Sequence, residues 1–207
     1  MKDLELRNQM LTYVRKLTDS GWLVGTSGNM SLRNEEDGSF LITPSGIDYQ
    51  EMRPEDLFLI RKDGTVIPGT GKPTSSLAFH RMVLEARPDC NVVLHTHAPF
   101  ATAASTITMS VPAVTFPALV YLGGDIPVAD FADNGSEEEA VNITNALEKK
   151  YQGMLMQNHG AVAIGKDLEE AWSNMAHLEE CCQVWILAKS TGLEPRSIKQ
   201  FFLAKDV

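Results

Sequence analysis

The segment Val92-Val93-Leu94-His95-Thr96-His97-Ala98-Pro99 constrains the fold of this chain more tightly than any other stretch. A short run of β-branched and apolar residues reads as a buried strand, and proline suits the first turn of a helix. The strand is therefore expected to lead directly into a helix over residues 99–105. Alternate residues of a strand share a face, which lets His95 and His97 point at one bound ion with no loop bringing them together. The spacing makes the pair candidate metal ligands, although two ordinary hydrogen-bonded histidines would look the same.

Other segments supply the elements around that strand. Leu6, Met10, Tyr13, Val14 and Leu17 recur at helical spacing before Gly21 and predict an opening amphipathic helix. Residues 39–43 and 56–61 read as strands, and Lys62-Asp63-Gly64-Thr65 as a turn into a return strand at Val66-Ile67. Further helices are predicted over residues 75–87, from Ser136, and from Asp167 towards Lys189. The last two open with capping boxes, Ser136 with Glu139 and Asp167 with Glu170. Strands at 154–157 and 161–164 flank a tight turn, Asn158-His159-Gly160. Such irregular alternation predicts an α/β fold with a mixed or antiparallel sheet covered by helices, rather than a doubly wound parallel one.

Composition narrows the function. The 207 residues hold 18 Lys+Arg against 27 Asp+Glu, a formal charge of −9, and the basic residues are scattered. A generic nucleic-acid or anionic-membrane surface is excluded, since it needs clustered positive charge. The length suits one domain over residues 1–207. No apolar run reaches the ~18 residues of a membrane span, and Met1-Lys2-Asp3-Leu4-Glu5 lacks a signal-peptide core, so a soluble, cytoplasmic protein is expected. Cys90, Cys181 and Cys182 have neither disulfide nor metal spacing and read as reduced core residues.

His159 adds a third imidazole at a strand end, and three neutral imidazoles suit Zn²⁺ or a related ion with positions left open for water or substrate oxygen. Gly25-Thr26-Ser27-Gly28-Asn29, Thr43-Pro44-Ser45-Gly46 and Pro73-Thr74-Ser75-Ser76 combine hydroxyls, glycine and exposed N–H groups. These are ingredients of a phosphate cradle that needs few formal charges. Any one of them alone is equally a turn or a cap, with Thr74 or Ser75 serving the next helix.

In their order and spacing these motifs, together with Lys72-Pro73-Thr74-Ser75, resemble the class II aldolase/adducin family over nearly the whole chain. The resemblance implies a three-layer α/β/α fold with a mainly antiparallel central sheet, and a homotetramer with active sites near subunit interfaces. It implies one divalent metal per subunit, zinc before manganese or cobalt. It makes His95, His97 and His159 the metal ligands, and it assigns Thr26, Gly28, Asn29, Ser45, Gly46, Thr74 and Ser75 to the pocket for a sugar's phosphate and neighbouring oxygens. The implied activity is reversible cleavage of a ketose 1-phosphate into dihydroxyacetone phosphate and an aldehyde through a metal-stabilised enediolate. The alternatives are an epimerase, dehydratase or decarboxylase of a phosphorylated sugar on the same scaffold, or a non-catalytic adducin-like module.

The chain departs from the family at proton transfer. Ser76 stands where the family carries its acid/base Glu or Asp, and a serine with no base beside it has no useful acidity near neutral pH. Phe116 falls near a tyrosine of related enzymes. Tyr121 could supply a hydroxyl instead, though it also fits a packing aromatic, and Phe201-Phe202-Leu203-Ala204-Lys205-Asp206-Val207 contains no tyrosine. His80 and His177 read as structural, and Trp172, Met175, Leu178 and Trp185 as one core or interface stripe. Glu137, Glu138, Glu139, Glu169 and Glu170 read as surface charges favoured by helix dipoles.

Overall fold

The computed structural model describes residues 2–199, so the tail from Phe201 to Val207 lies outside the described residues. The chain opens with α1 (Lys2–Asp19), whose apolar stripe ends at Gly21 in the left-handed region, φ +72°. There follow β1 (Asn29–Arg33), β2 (Phe40–Ile42), β3 (Pro44–Ser45), a 3₁₀ turn at Pro54–Asp56, β4 (Phe58–Ile60), β5 (Val66–Ile67) and β6 (Lys72–Pro73). Next come α2 (Leu77–Ala86), β7 (Val92–Thr96), α3 (Pro99–Ser105), β8 (Ser110–Val111), α4 (Phe116–Tyr121) and β9 (Ile126–Ala129). The described chain closes with α5 (Glu137–Ala146), β10 (Gly153–Met156), β11 (Gly160–Gly165) and α6 (Leu168–Lys189).

Among the described residues nine strands form one sheet in the order β5-β4-β2-β1-β7-β11-β10-β9-β8. Neighbours run antiparallel except β9 and β10, which are parallel and joined by the α5 crossover. Strand β7 lies in the middle, paired with β1 and β11, and all five of its residues are buried. Alternation along it divides the core. Val92 and Leu94 enter the cluster under α1, α3 and α6, and Val93 enters the cluster under α2 and α5. Both faces are covered, so the strand reads as continuous apolar sequence, and each buried Val or Leu contributes roughly 1.5–3 kcal/mol. The result is a three-layer α/β/α fold with a mainly antiparallel central sheet.

Several elements differ from the sequence expectation. Strand β1 is missing from the sequence expectation, although Asn29, Ser31 and Arg33 alternate with Met30 and Leu32 at strand period. In the fold Ser31 is fully buried, satisfied by a 2.7 Å hydrogen bond to His80. β3, β6, β8, α4 and β9 are too short to carry a readable period. The strand expected from residue 56 starts at Phe58 because Pro54–Asp56 winds as a 3₁₀ turn. The α6 stripe is core, with Met175, Leu178 and Trp185 buried and Trp172 tilted against Trp22 at 6.0 Å between ring centroids. All three cysteines are buried and unpaired. Among the described residues no helix is long and apolar enough to cross a membrane.

Candidate metal centre and cleft

Strand register brings the three histidines together. β11 pairs with β7 so that Val162 opposes His95 and Ala161 opposes Thr96, which sets the β10–β11 turn beside the end of β7. Asn158 makes that turn with φ +56°, a conformation its short amide tolerates, and His159 follows. Gly160 must lack a side chain, because a Cβ there would lie 2.4 Å from the Thr96 carbonyl oxygen and 3.1 Å from His97 Cδ2. Ring centroids stand 5.1 Å apart for His95 and His97, 4.8 Å for His95 and His159, and 5.1 Å for His97 and His159. One nitrogen from each lies within 4.8 Å of the others.

The donor chemistry fits a divalent cation. His95 Nδ1 lies 3.1 Å from the Ala161 carbonyl, which can only accept, so Nδ1 carries the proton and Nε2 is left as a lone pair. His97 Nε2 is buried without a hydrogen-bond partner. Burial, with His159 and His97 adding to it, holds His95 well below the usual histidine range, and burial followed by His159 lowers His97. Both rings are therefore neutral at pH 7, the form in which imidazole binds a metal.

The triad lines a cleft of about 240 Å³ shared with Thr26, Ser27, Gly28 and Asn29, with Pro44 and Ser45 of β3, with Thr74, Ser75 and Ser76, and with Asn134. Each loop is pinned against the strand below it. A Cβ on Gly28, φ +87°, would meet the His95 carbonyl oxygen at 2.6 Å, and the Tyr49 hydroxyl donates to the Gly28 carbonyl. Asn29 organises the floor, donating from Nδ2 to Thr74 Oγ1 and Ser76 Oγ, each at 3.1 Å. His80, fully buried, holds the other end of that amide at 2.5 Å. Ser76 is the N-cap residue of α2, yet its hydroxyl makes no capping bond and accepts from Asn29 instead. No lysine, arginine, carboxylate or tyrosine is among the described residues lining this cleft. A larger groove of about 690 Å³ beside α1, bordered by Asp3, Glu5, Tyr13 and Glu169, gathers no comparable ligand set.

Other site candidates lie elsewhere. Gly46 turns the chain after β3 with φ +77° and does not line the cleft. Tyr121 is half exposed on α4 and stacks on His177 at 5.0 Å, outside the cleft of its own chain. Glu139 corrects the reading of the α5 acids as surface charges, for it is only 4% exposed. Its backbone N–H does donate to Ser136 Oγ, but its carboxylate reaches past Ser136 to the Gly135 N–H at 2.8 Å. The other carboxylate oxygen has no hydrogen-bond partner and lies 3.6 Å from His159 Nδ1. A signal was present: Glu139 stands four residues before buried Ile143 and beside buried Ala140, on the apolar stripe of α5.

The comparisons with known proteins bear on the family and the fold. A family model described as Class II Aldolase and Adducin N-terminal domain matches residues 8–186. The chain is 31% identical over 194 residues to 5-deoxy-D-ribulose 1-phosphate aldolase of Bacillus thuringiensis serovar kurstaki, covering 94% of this chain and 90% of the relative. It is 32% identical over 187 residues to L-fuculose phosphate aldolase of Escherichia coli, covering 90% and 85%. A solved structure of L-fuculose 1-phosphate aldolase superposes with a TM-score of 0.88 at 30% identity, over 93% of this chain and 90% of that one. Profile, sequence and fold agree over almost the full length, and the chain belongs to the class II aldolase/adducin family.

Proposed function

We propose that this chain, as one domain over residues 1–207, is a metal-dependent sugar-phosphate aldolase of the cytoplasm. It would cleave a ketose 1-phosphate reversibly into dihydroxyacetone phosphate and an aldehyde. His95, His97 and His159 hold one divalent cation, zinc first and manganese or cobalt as alternatives. The observation that carries this reading is the buried, unpartnered Nε2 of His97 within a ring of three imidazoles lining a hydroxyl-rich cleft. A bound divalent cation supplies positive charge for the carbonyl oxygen on which the electron pair of the breaking C–C bond collects.

The chain's own residues bind and orient. Thr26, Gly28, Asn29, Ser45, Thr74 and Ser75 receive the phosphate and its neighbouring oxygens through neutral donors, without Gly46, which lies outside the cleft; this is consistent with a lining that holds no lysine or arginine. Ser76 Oγ, steadied by Asn29, can orient a substrate oxygen or a water, but no base stands beside it to take its proton. Proton transfer is then the weak step of the site. The assembly would be the homotetramer that the family resemblance implies, with active sites near subunit interfaces.

The test combines elemental analysis with product detection. Purified protein is expected to carry near-stoichiometric zinc, manganese or cobalt, to lose it on His95→Ala or His159→Ala, and to release dihydroxyacetone phosphate from at least one ketose 1-phosphate. Ser76→Glu is expected to raise cleavage by about two orders of magnitude, the scale of general acid–base catalysis. No dihydroxyacetone phosphate from any ketose 1-phosphate would overturn the aldolase reading. A second reading is an epimerase, dehydratase or decarboxylase, since one similar solved structure is titled a putative aldolase/epimerase/decarboxylase. An unchanged rate in Ser76→Glu together with another product would establish it. A chain that retains no metal would instead be the adducin-like module.

A further inference from the structure

Glu139 presents a puzzle that helix capping does not resolve. A buried carboxylate needs its oxygens satisfied, because each unpartnered polar atom removed from water is costly. Capping accounts for one oxygen, which accepts from the Gly135 N–H at 2.8 Å. The other, Oε1, has no hydrogen-bond partner although the side chain is only 5% exposed. The group paired with it is His159 Nδ1, 3.6 Å away, a few tenths of an ångström beyond a hydrogen bond.

We infer that Glu139 is the positioning residue of the metal centre: its Oε1 accepts the Nδ1–H of His159 and thereby fixes the tautomer that offers Nε2 to the cation. His95 is prepared in the same sense by the Ala161 carbonyl at its Nδ1. An anionic partner goes further than a carbonyl, making the imidazole a stronger donor and placing a negative charge just outside the ligand shell. The same helix end touches the cleft on its other side. Gly135, whose N–H Glu139 accepts, packs on Ser75 so closely that a Cβ would come within 2.8 Å of the Ser75 carbonyl oxygen. One carboxylate thus couples the third ligand to the Thr74-Ser75-Ser76 wall of the cleft.

The inference rests on the metal reading above, and the test separates the two. Zinc affinity is measured by chelator competition, without substrate, in the unmodified chain, in Glu139→Gln and in Ser136→Ala. Glu139→Gln is expected to weaken zinc binding about 10–100-fold, the range for loss of a carboxylate behind a metal-binding histidine. Ser136→Ala removes the capping hydroxyl from the same helix end but keeps the carboxylate, so it should lower the melting temperature and leave zinc affinity unchanged. Equal affinity in Glu139→Gln and the unmodified chain would overturn the inference while leaving the metal site standing. An equal loss in Ser136→Ala would overturn it too, since helix integrity and not the carboxylate would then be responsible. An unmodified chain that binds no zinc, manganese or cobalt would overturn both readings.

Discussion

Asn29 can offer both amide protons to the cleft floor because His80 holds its carbonyl oxygen from behind. That oxygen can only accept, so His80 Nε2 carries the proton and Nδ1 accepts from the Ser31 hydroxyl. Burial pushes His80 down to about 3, so the ring stays neutral in the fold at any ordinary pH. The unfolded chain protonates this histidine near 6.5, and below that pH it binds more protons than the folded one. The stabilisation is complete above about pH 6.5 and is lost as pH falls towards 3, at up to about 1.4 kcal/mol per pH unit from this group. Denaturant unfolding at pH 7, 6 and 5 should show that fall, with a shallower slope in His80→Gln. Identical slopes would show that His80 titrates normally in the fold. In the sequence His80 reads as structural, which describes its burial but misses its hold on Asn29. The link spans 51 residues and exists only because the fold sets His80 of α2 against Asn29 and Ser31 of β1.

Elements set the spacing of the site through contacts that cannot yield. Gly160 lies where β11 presses on β7, and Gly160→Ala would drive a Cβ into the Thr96 main chain. The expected cost is about 1–3 kcal/mol of stability, as for overpacking generally, together with a loss of metal affinity as the triad is pushed apart. Chemical denaturation and zinc titration on one preparation read both effects, and full affinity in a stable Gly160→Ala would argue against a rigid triad. A second element-scale support is Arg87, only 3% exposed, whose Nη1 donates to the carbonyls of Leu147, Glu148 and Tyr151 just past α5. Each charged hydrogen bond contributes roughly 1.5–3 kcal/mol, so Arg87→Met should cost at least about 3 kcal/mol in urea unfolding. A loss below about 1 kcal/mol would mean that water satisfies those carbonyls instead. The long helices and the strands around His95 and His159 were legible because period and capping are local signals. β1 went unread although its residues alternate; what only the fold shows is that the polar face is buried too, with Ser31 satisfied by His80.

For the whole molecule, the three histidines span the central strand and the β10–β11 turn, so an ion held by them would tie together parts of the sheet distant in sequence. An ion at 100 times its dissociation constant adds about 2.7 kcal/mol to the folded state. For a chain of this size that is roughly 5–10 °C in melting temperature. Calorimetry with and without a chelator should show the shift in the unmodified chain and none in His159→Ala; a shift of equal size in both would place the ion elsewhere. What local chemistry could announce was announced in the chain itself: a buried strand ending in two histidines, a histidine turn, and three hydroxyl-rich loops. Each lies within a few residues, where spacing maps directly onto direction. Which loops share a cleft, that Ser76 faces Asn29 instead of capping its helix, and that Glu139 stands buried behind His159 were decided by tertiary structure alone. Those relations depend on strand register and helix packing between segments tens of residues apart, and burial there determines whether a carboxylate is a surface charge or part of the centre.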